Sequence, residues 1–385
     1  MRRRAWSKKQ EVGRRKRTET GEVASGGLFS YIDSMSPSQT IRPSYLALLE
    51  SGELPVRVSK LNALLASCTV CPHDCGNNRL KNEIARCYSG LLPIVSSATV
   101  HFGEEPALVG TNGVGNIFFG NCNLRCVYCQ NFLISQNHLE ERKNEVSLER
   151  LAEMMLELQE KGVHSIGFVS PSHFVPQIIS AVAIAARAGL RLPLIYNTNA
   201  FDSVEVLRLL DGIIDIYLPD LKYADEQMGY EYSKIRDYPG VAHAAIKEMH
   251  RQVGSDLVYD DAGLVQRGLI IRHLVLPNDL AGSRESLRWI RDELGPHTTL
   301  SIMAQYFPTH RALTMPLVDR KIRESEYLRV LSELDKLGMD HGWIQDYEAS
   351  EYYRPEFEDR DRPFKGEIDN ETGDGVQEST SKEKA

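Results

Sequence analysis

The chain lacks the features that mark membrane and secreted proteins. No apolar run in its 385 residues approaches the roughly 20 residues that a membrane-spanning helix needs. No secretory signal peptide is recognisable, so we expect a cytoplasmic protein with no membrane partner, although the basic N-terminus leaves an organellar or nuclear location open. The net charge of −8 argues against nucleic acid as a general partner and leaves room only for local basic patches.

Nucleotide-binding fingerprints are also absent. The stretch GTNGVGN (110–116) contains glycines, but their spacing differs from G-x-G-x-x-G and from the Walker motif, and they precede a strand instead of following one. This absence argues against the dehydrogenase and NTPase classes.

The two ends of the chain differ in composition from its middle. Residues 1–17 are strongly basic, and the stretch after about residue 356 is acidic and poor in large apolar residues. Such segments are typical of disordered tails. We therefore predict a basic tail (1–25), an N-terminal extension with a four-cysteine metal site (26–110), a core domain (111–348) and an acidic tail (349–385).

From about residue 114, short apolar runs alternate with amphipathic helical patterns. Runs rich in Ile, Val, Phe and Leu on both faces are typical of strands buried on both sides. The predicted strands are NIFF (116–119), SIGFVS (165–170), LPLIYN (192–197), GIIDIYL (212–218), GLIIRHLVLP (268–277) and TLSIMA (299–304). The predicted helices cover residues 148–161, 176–188, 202–210, 241–253, 284–294 and 324–337. Six alternating units predict a parallel α/β fold, either a barrel or a doubly wound sheet.

The seven cysteines form two clusters. Four lie in the N-terminal extension (Cys68, Cys71, Cys75 and Cys87), and three lie in GNCNLRCVYCQN (Cys122, Cys126 and Cys129). Close spacing without a secretion signal favours metal ligation over disulfides and implies a reducing compartment. The group of four is a complete ligand set, which suits either structural zinc or a fully ligated 4Fe-4S cluster.

The group of three is an incomplete ligand set. Three thiolates can hold three irons of a cubane cluster and leave the fourth iron open. The loop directly follows a predicted strand, at the end where β/α folds place their reactive groups. Zinc with a distant fourth ligand, or plain buried cysteines, are the alternatives.

The pattern C-x3-C-x2-C, with Tyr128 directly before its last cysteine, resembles the signature of radical S-adenosylmethionine (SAM) enzymes. The wider stretch HFGEEPALVGTNGVGNIFFGNCNLRCVYCQN (101–131) resembles pyruvate formate-lyase activating enzymes, in particular a group with an N-terminal cysteine cluster. This resemblance, over about residues 68–347, implies a partial (β/α)6 TIM-like barrel of radical SAM type with a cysteine-rich extension. It also implies a 4Fe-4S cluster on Cys122, Cys126 and Cys129 that binds SAM and cleaves it reductively to a 5′-deoxyadenosyl radical.

The resemblance assigns contacts with SAM to residues near the ends of the first two strands. Tyr128 is expected near the adenine, although a purely packed aromatic is the alternative. The family carries a Gly-Gly-Glu stretch after its second strand, whereas this chain has SPSHF (170–174). The hydroxyl groups of Ser170 and Ser172, or the ring of His173, are expected to replace the missing acid.

Further contacts are implied at the later strands. Asn197 and Asn199 resemble part of a Thr-Asn-Gly stretch that meets the carboxylate or the ribose. Asp220 and Lys222 resemble an Asp-Leu-Lys stretch, and such a charge pair suits a zwitterionic ligand; a solvated or purely structural ion pair is the alternative. Arg272 on the fifth strand is expected to contact the carboxylate or the ribose.

The sequence thus predicts a radical SAM oxidoreductase similar to the glycyl-radical activating enzymes. The expected partners are an electron donor such as flavodoxin or ferredoxin and a glycyl radical protein as target. Radical modification of a small molecule, a peptide or RNA is the alternative within the enzyme class. A non-enzymatic iron–sulfur or zinc scaffold is the alternative outside it.

Overall fold

The described part of the chain is built around one sheet of ten strands. A computed structural model describes residues 42–351, 354–361 and 363–364, together with the backbone of Ser7–Lys8. The predicted tails lie largely outside these residues, and the predicted domain boundaries stay predictions. The strands are β1 (Ser7–Lys8), β2 (Val95–His101), β3 (Val114–Phe119), β4 (Ile166–Val169), β5 (Leu194–Thr198), β6 (Ile216–Pro219), β7 (Val258–Tyr259), β8 (Val265–Leu274), β9 (Thr299–Met303) and β10 (Gly342–Ile344).

Helices connect the successive strands, except that β7 and β8 are joined by a turn. The helices are α1 (Tyr45–Glu50), α2 (Glu53–Ala63), α3 (Pro106–Val109), α4 (Phe132–Ser135), α5 (His138–Glu141), α6 (Leu148–Glu160), α7 (Val175–Ala188), α8 (Val204–Leu210), α9 (Glu226–Ser233), α10 (Tyr238–Val253), α11 (Ser283–Glu293) and α12 (Glu324–Leu337). Ser147 caps α6 by accepting a hydrogen bond from Arg150 N at 3.1 Å. None of the described helices is both long and apolar enough to cross a lipid bilayer.

Seven strands from β3 to β10 run parallel, in the order β3, β4, β5, β6, β8, β9 and β10, and β1 extends this parallel set beside β10. Six of them are the predicted strands, and β10 was not predicted. The strand order never reverses, as it does in doubly wound sheets, so the barrel alternative is confirmed. β2 pairs antiparallel with β3 at the far edge. β1 and β2 are the two edge strands of the sheet. They do not pair with each other, so the described barrel is open, in agreement with the predicted partial barrel.

Apolar side chains close the amino-terminal end of the barrel interior. Leu108 of α3 is 2% exposed and enters this interior from the connection between β2 and β3. It packs in one cluster with Val114, Ile195, Ile216, Leu218, Val265, Ile270 and Trp343. The strand members alternate with residues of the outer core, as the pleat requires. Helix α3 therefore closes the amino-terminal end of the barrel interior.

A segment near the C-terminus packs against the barrel. Phe357 is 3% exposed, and its ring centroid lies 5.4 Å from that of Phe118 on β3. The Arg360 guanidinium pairs with the buried Glu141 carboxylate at 2.6 Å. Phe364 also stacks near Phe118, with centroids 5.7 Å apart. Two phenylalanines thus anchor described residues inside a stretch for which composition predicted disorder.

The closure of this barrel end by α3 yields a stability prediction. We expect Leu108→Ala to lower the free energy of unfolding by about 2–5 kcal/mol, because it leaves a cavity among buried aliphatic side chains. Leu328→Ala is the control, since Leu328 on α12 is 54% exposed and a surface change costs within about 0.5 kcal/mol. Urea unfolding of both variants measures the difference. Equal losses would contradict the placement of Leu108.

Candidate functional site

A cavity of about 240 Å³ lies at the carboxyl ends of the parallel strands and is lined by all three cysteines of the loop 120–131. The structure also brings most of the predicted SAM-binding residues to its wall. These are Tyr128, Ser170, Asn197, Asn199, Asp220, Lys222 and Arg272. Ser172 does not line the cavity, because it is 1% exposed and its Oγ lies 3.0 Å from Thr198 Oγ1 in the protein interior.

The three-cysteine loop begins with Gly120, where a side chain would displace its neighbours. A Cβ on Gly120 would lie 2.4 Å from Ile94 Cγ2 and 2.6 Å from Glu141 Oε2. Asn121 follows in the left-handed region, with φ of 64°, which asparagine tolerates better than most residues. The chain can therefore turn sharply after β3 and direct the following cysteines toward the cavity.

Each cysteine of this loop has a hydrogen-bonding side chain beside its sulfur. Asn199 Nδ2 donates to Cys122 Sγ at 3.5 Å. Ser233 Oγ donates to Cys126 Sγ at 2.9 Å. Ser135 Oγ lies 3.2 Å from Cys129 Sγ. Donors of this kind stabilise negative charge on sulfur, which is the charge that metal-bound thiolates carry.

The donor to Cys126 ends a chain of buried hydroxyl groups. Tyr128 OH donates to Tyr223 OH at 2.6 Å, and Tyr223 OH lies 2.7 Å from Ser233 Oγ. Tyr128 thus has a defined hydrogen-bonding role in addition to lining the cavity. Its side chain is also packed, because its ring meets that of Tyr306 edge-on at 5.7 Å.

Burial controls the ionisation of the cysteines. It raises the pKa of Cys126 to about 11, although the ammonium group of Lys222 and the hydrogen bond from Ser233 act in the opposite direction. The pKa values of Cys122 and Cys129 are raised by burial as well. The metal-free thiols are therefore protonated at neutral pH, and metal binding here must release protons.

Asp220 and Lys222 form a charge pair at the end of β6. Lys222 Nζ lies 2.7 Å from Asp220 Oδ2, and both line the cavity. Burial by itself lowers the pKa of Lys222, but Asp220 and the Cys126 sulfur outweigh it, so the pKa is raised. Lys222 is therefore always charged at neutral pH, and the pair offers both a cation and an anion to a ligand.

Arg272 is already paired with two carboxylates, which the sequence interpretation did not foresee. Its guanidinium contacts Glu104, and it binds Glu105 at 2.6 Å and 3.1 Å. Glu104 lines the cavity and also accepts a hydrogen bond from Asn116 Nδ2 at 2.8 Å. The two acids and the arginine carry a net negative charge, so Arg272 is a weaker receptor for a carboxylate than an unpaired arginine.

The residues expected to replace the glutamate of the family's Gly-Gly-Glu stretch differ in whether they face the cavity. Ser170 lines the cavity, whereas His173 is 1% exposed and lies on the other side of the loop. Burial lowers the pKa of His173 to about 3, so its ring is neutral, and Nε2 lies 3.0 Å from the Gly120 carbonyl oxygen. Of the residues proposed for this position, Ser170 alone faces the cavity.

The four N-terminal cysteines line a second, small pocket together with Arg79 and His173. This pocket directly adjoins the three-cysteine loop, because His73 Nε2 lies 2.7 Å from the carbonyl oxygen of Asn123. Arg79 is 1% exposed and donates to the carbonyl oxygens of Gly90 and His173. Its NH2 group is buried without a hydrogen-bond partner among the described residues.

Several residues of these sites carried no signal in the sequence. Ser233 and Ser135 are serines in helical segments, and nothing in their surroundings marks them as partners of cysteine sulfur. Glu104 and Glu105 do have a signal, since two acids before a proline interrupt an otherwise apolar region. Their burial against Arg272 is a long-range contact that the pattern could not predict.

Residues 116–256 match the family model described as the Radical SAM superfamily. An uncharacterized protein of Methanocaldococcus jannaschii is 28% identical over 299 residues, which are 77% of this chain and 82% of that protein. Among solved structures, the [FeFe]-hydrogenase maturase HydG has a TM-score of 0.40 at 14% identity, over 62% of this chain and 53% of HydG. A radical SAM methyltransferase of Sphaerobacter thermophilus has a TM-score of 0.41 at 11% identity, over 60% of this chain and 66% of the methyltransferase. Likenesses this distant say nothing about the reaction of this chain.

The hydroxyl chain that ends on Cys126 yields a prediction about redox potential. Hydrogen bonds to cluster sulfurs favour the more negative, reduced state. If Cys126 holds an iron–sulfur cluster, we expect Ser233→Ala to shift the midpoint potential of that cluster to a more negative value. A redox titration monitored by EPR measures this shift. The EPR signal that changes when SAM is added is followed, because that signal would belong to the cluster at Cys126.

Ser286→Ala is the matched control, because Ser286 is a buried serine on α11 whose Oγ has no hydrogen-bond partner among the described residues. An unchanged potential in the Ser233 variant, or an equal shift in both variants, would contradict the role of Ser233.

Proposed function

From the radical SAM domain at residues 116–256, we propose that the chain is an enzyme that holds a 4Fe-4S cluster on Cys122, Cys126 and Cys129 and cleaves SAM reductively. The observation that carries this proposal is the convergence of three cysteines and the polar strand ends on one cavity. When bound, the cluster supplies the electron that breaks SAM into methionine and a 5′-deoxyadenosyl radical, which abstracts a hydrogen atom from a target.

The cavity residues fit a zwitterionic ligand with an additional positive charge. SAM carries an ammonium, a carboxylate and a sulfonium group. Lys222 offers a cation for the carboxylate, while Asp220 and Glu104 offer carboxylates for the cationic groups. Glu104 or Asp220 can therefore supply the acid that the family places after its second strand. Asn197 and Ser170 add neutral hydrogen-bonding groups beside them.

The chain also limits access of water to the cavity, which protects a radical. Helix α3 fills the amino-terminal end of the barrel with Leu108. Tyr128, Tyr223 and Tyr306 are all at most 5% exposed and pack behind the cysteine loop. Pro355 and Phe364 line the cavity from the C-terminal segment. The cavity lies at the carboxyl ends of the strands, and we expect the target to enter there.

For the target, we propose a glycine of a glycyl radical protein, with flavodoxin or ferredoxin as electron donor. The support is the resemblance of residues 101–131 to the activating enzymes. A small molecule is the second candidate, and one observation favours it: Pro355 and Phe364 already occupy one side of the cavity, which narrows the space for a protein loop.

We also propose that Cys68, Cys71, Cys75 and Cys87 hold a second 4Fe-4S cluster. Arg79 beside them is a buried cation without an ion pair among the described residues, and a metal–thiolate centre of net negative charge would compensate it. Zinc fits less well, since Zn–S bonds of about 2.3 Å place the sulfurs of a tetrahedral site roughly 3.8 Å apart. No three sulfurs in the described part of the chain lie within 4.8 Å of one another.

The cleavage reaction tests the main proposal. We expect protein reconstituted with iron and sulfide, and reduced with dithionite, to convert SAM to 5′-deoxyadenosine, as measured by chromatography. Cys126→Ala removes one ligand of the three and is expected to abolish the product. A wild-type protein that carries its clusters and forms no 5′-deoxyadenosine would sink the enzyme proposal and favour the scaffold alternative.

The metal content of variants tests the second site. We expect the double variant Cys68→Ala and Cys71→Ala to lose about half of the bound iron, because one of two clusters of equal size is missing. It is expected to retain some formation of 5′-deoxyadenosine, because Cys122, Cys126 and Cys129 are intact. An unchanged iron content together with a loss of zinc in the double variant would contradict the proposed second cluster and assign zinc to the four N-terminal cysteines.

A further inference from the structure

A separate group of metal-ligating side chains lies at the amino-terminal ends of the last two strands of the barrel. His297 is in the connection from α11 to β9, whereas Asp340 and His341 are in the connection from α12 to β10. One ligand atom from each lies within 4.8 Å of the other two. The sheet holds the two connections together, because Leu300 N on β9 donates to the His341 carbonyl oxygen at 3.1 Å.

The arrangement of the three side chains leaves ring nitrogens accessible. The rings of His297 and His341 are 4.9 Å apart at an angle of 75°, so they meet edge to face instead of stacking. His341 Nδ1 lies 2.9 Å from Asp340 Oδ1. The side chain of His341 is 48% exposed and that of Asp340 is 27% exposed. An ion can therefore reach the group directly from solvent.

We propose that His297, Asp340 and His341 bind one divalent transition-metal ion, of which zinc is the representative. Two imidazoles and a carboxylate are typical ligands for zinc, whereas calcium and magnesium prefer sites made of oxygen alone. Zinc bonds of about 2.0–2.2 Å place the ligand atoms of a tetrahedral site roughly 3.4 Å apart. The three ligand atoms lie within 4.8 Å of one another and would have to move closer together to reach that spacing, with water in the fourth position.

The bound ion links two segments that are distant in sequence. The ion joins His297, in the connection before β9, to Asp340 and His341, in the connection before β10. These connections lie at the amino-terminal end of the barrel, where residues contribute to stability and not to catalysis. The backbone of β1 also pairs with β10, directly beyond His341. Because the unfolded chain does not hold the three ligands together, binding favours the folded state. The ion is thus a structural clamp on the last strands.

The experiment uses the full chain with both cysteine sites loaded, so that free thiolates do not bind the added zinc. Calorimetric titration with Zn²⁺ compares wild type with the double variant His297→Ala and His341→Ala. His250→Ala is the control, because His250 contacts Ser255 Oγ and belongs to no such group among the described residues. Thermal unfolding with and without Zn²⁺ gives an independent measurement.

We expect wild type and the His250 variant to bind one additional equivalent of zinc, and the double variant to bind it at least about tenfold more weakly. Zinc is expected to raise the Tm of wild type and of the control but not that of the double variant. Equal binding by all three proteins overturns the site. Magnesium binding to wild type with the same affinity as zinc also overturns it, because it would indicate attraction by surface charge alone.

Discussion

The three-cysteine loop exists in its converging shape only because other segments bind its backbone. Arg125 N donates to the Ser233 carbonyl oxygen at 3.2 Å, and Val127 N donates to that of Tyr232 at 2.8 Å. An unpaired buried N–H group costs about 1–3 kcal/mol, so the end of α9 stabilises the conformation in which the thiols point at one cavity. The ligand geometry therefore belongs to the folded barrel and not to the twelve-residue motif alone.

Charge is distributed differently around the two cysteine sites. In the cavity, Arg272 and Lys222 both have carboxylate partners, so a ligand must share these partners or replace them. Beside the four N-terminal cysteines, Arg79 has carbonyl oxygens but no carboxylate in the described part of the chain. A buried cation without an anion is costly. The cations of the first site therefore have carboxylate partners within the protein, and Arg79 at the second site has none among the described residues.

The sequence allowed prediction of what depends on local pattern. All six predicted strands are present, because strands buried on both faces leave continuous apolar runs; β10, with three residues, is too short to leave one. Most residues of the cavity wall were predicted from their position after a strand, because the carboxyl ends of parallel strands lie at one edge of the sheet. Contacts across the fold could not be predicted: Arg272 meets Glu105 over a separation of 167 residues, and Ser233 meets Cys126 over 107. Ser172 was predicted to face the cavity because it follows a strand, but its side chain points into the protein interior. Position after a strand therefore does not determine the direction of a side chain.

The open edge of the barrel, and residues 354–361 and 363–364 that pack near it, have a consequence for biosynthesis. Ribosomes make all seven cysteines and every parallel strand before they reach Phe357. The nascent chain thus passes through a stage in which all seven thiols exist and the aromatic side chains of Phe357 and Phe364 do not. Under the proposed function, iron delivered during that interval would meet thiols that are less enclosed than those of the finished protein. The direction of synthesis therefore gives access to these thiols before Phe357 and Phe364 can pack.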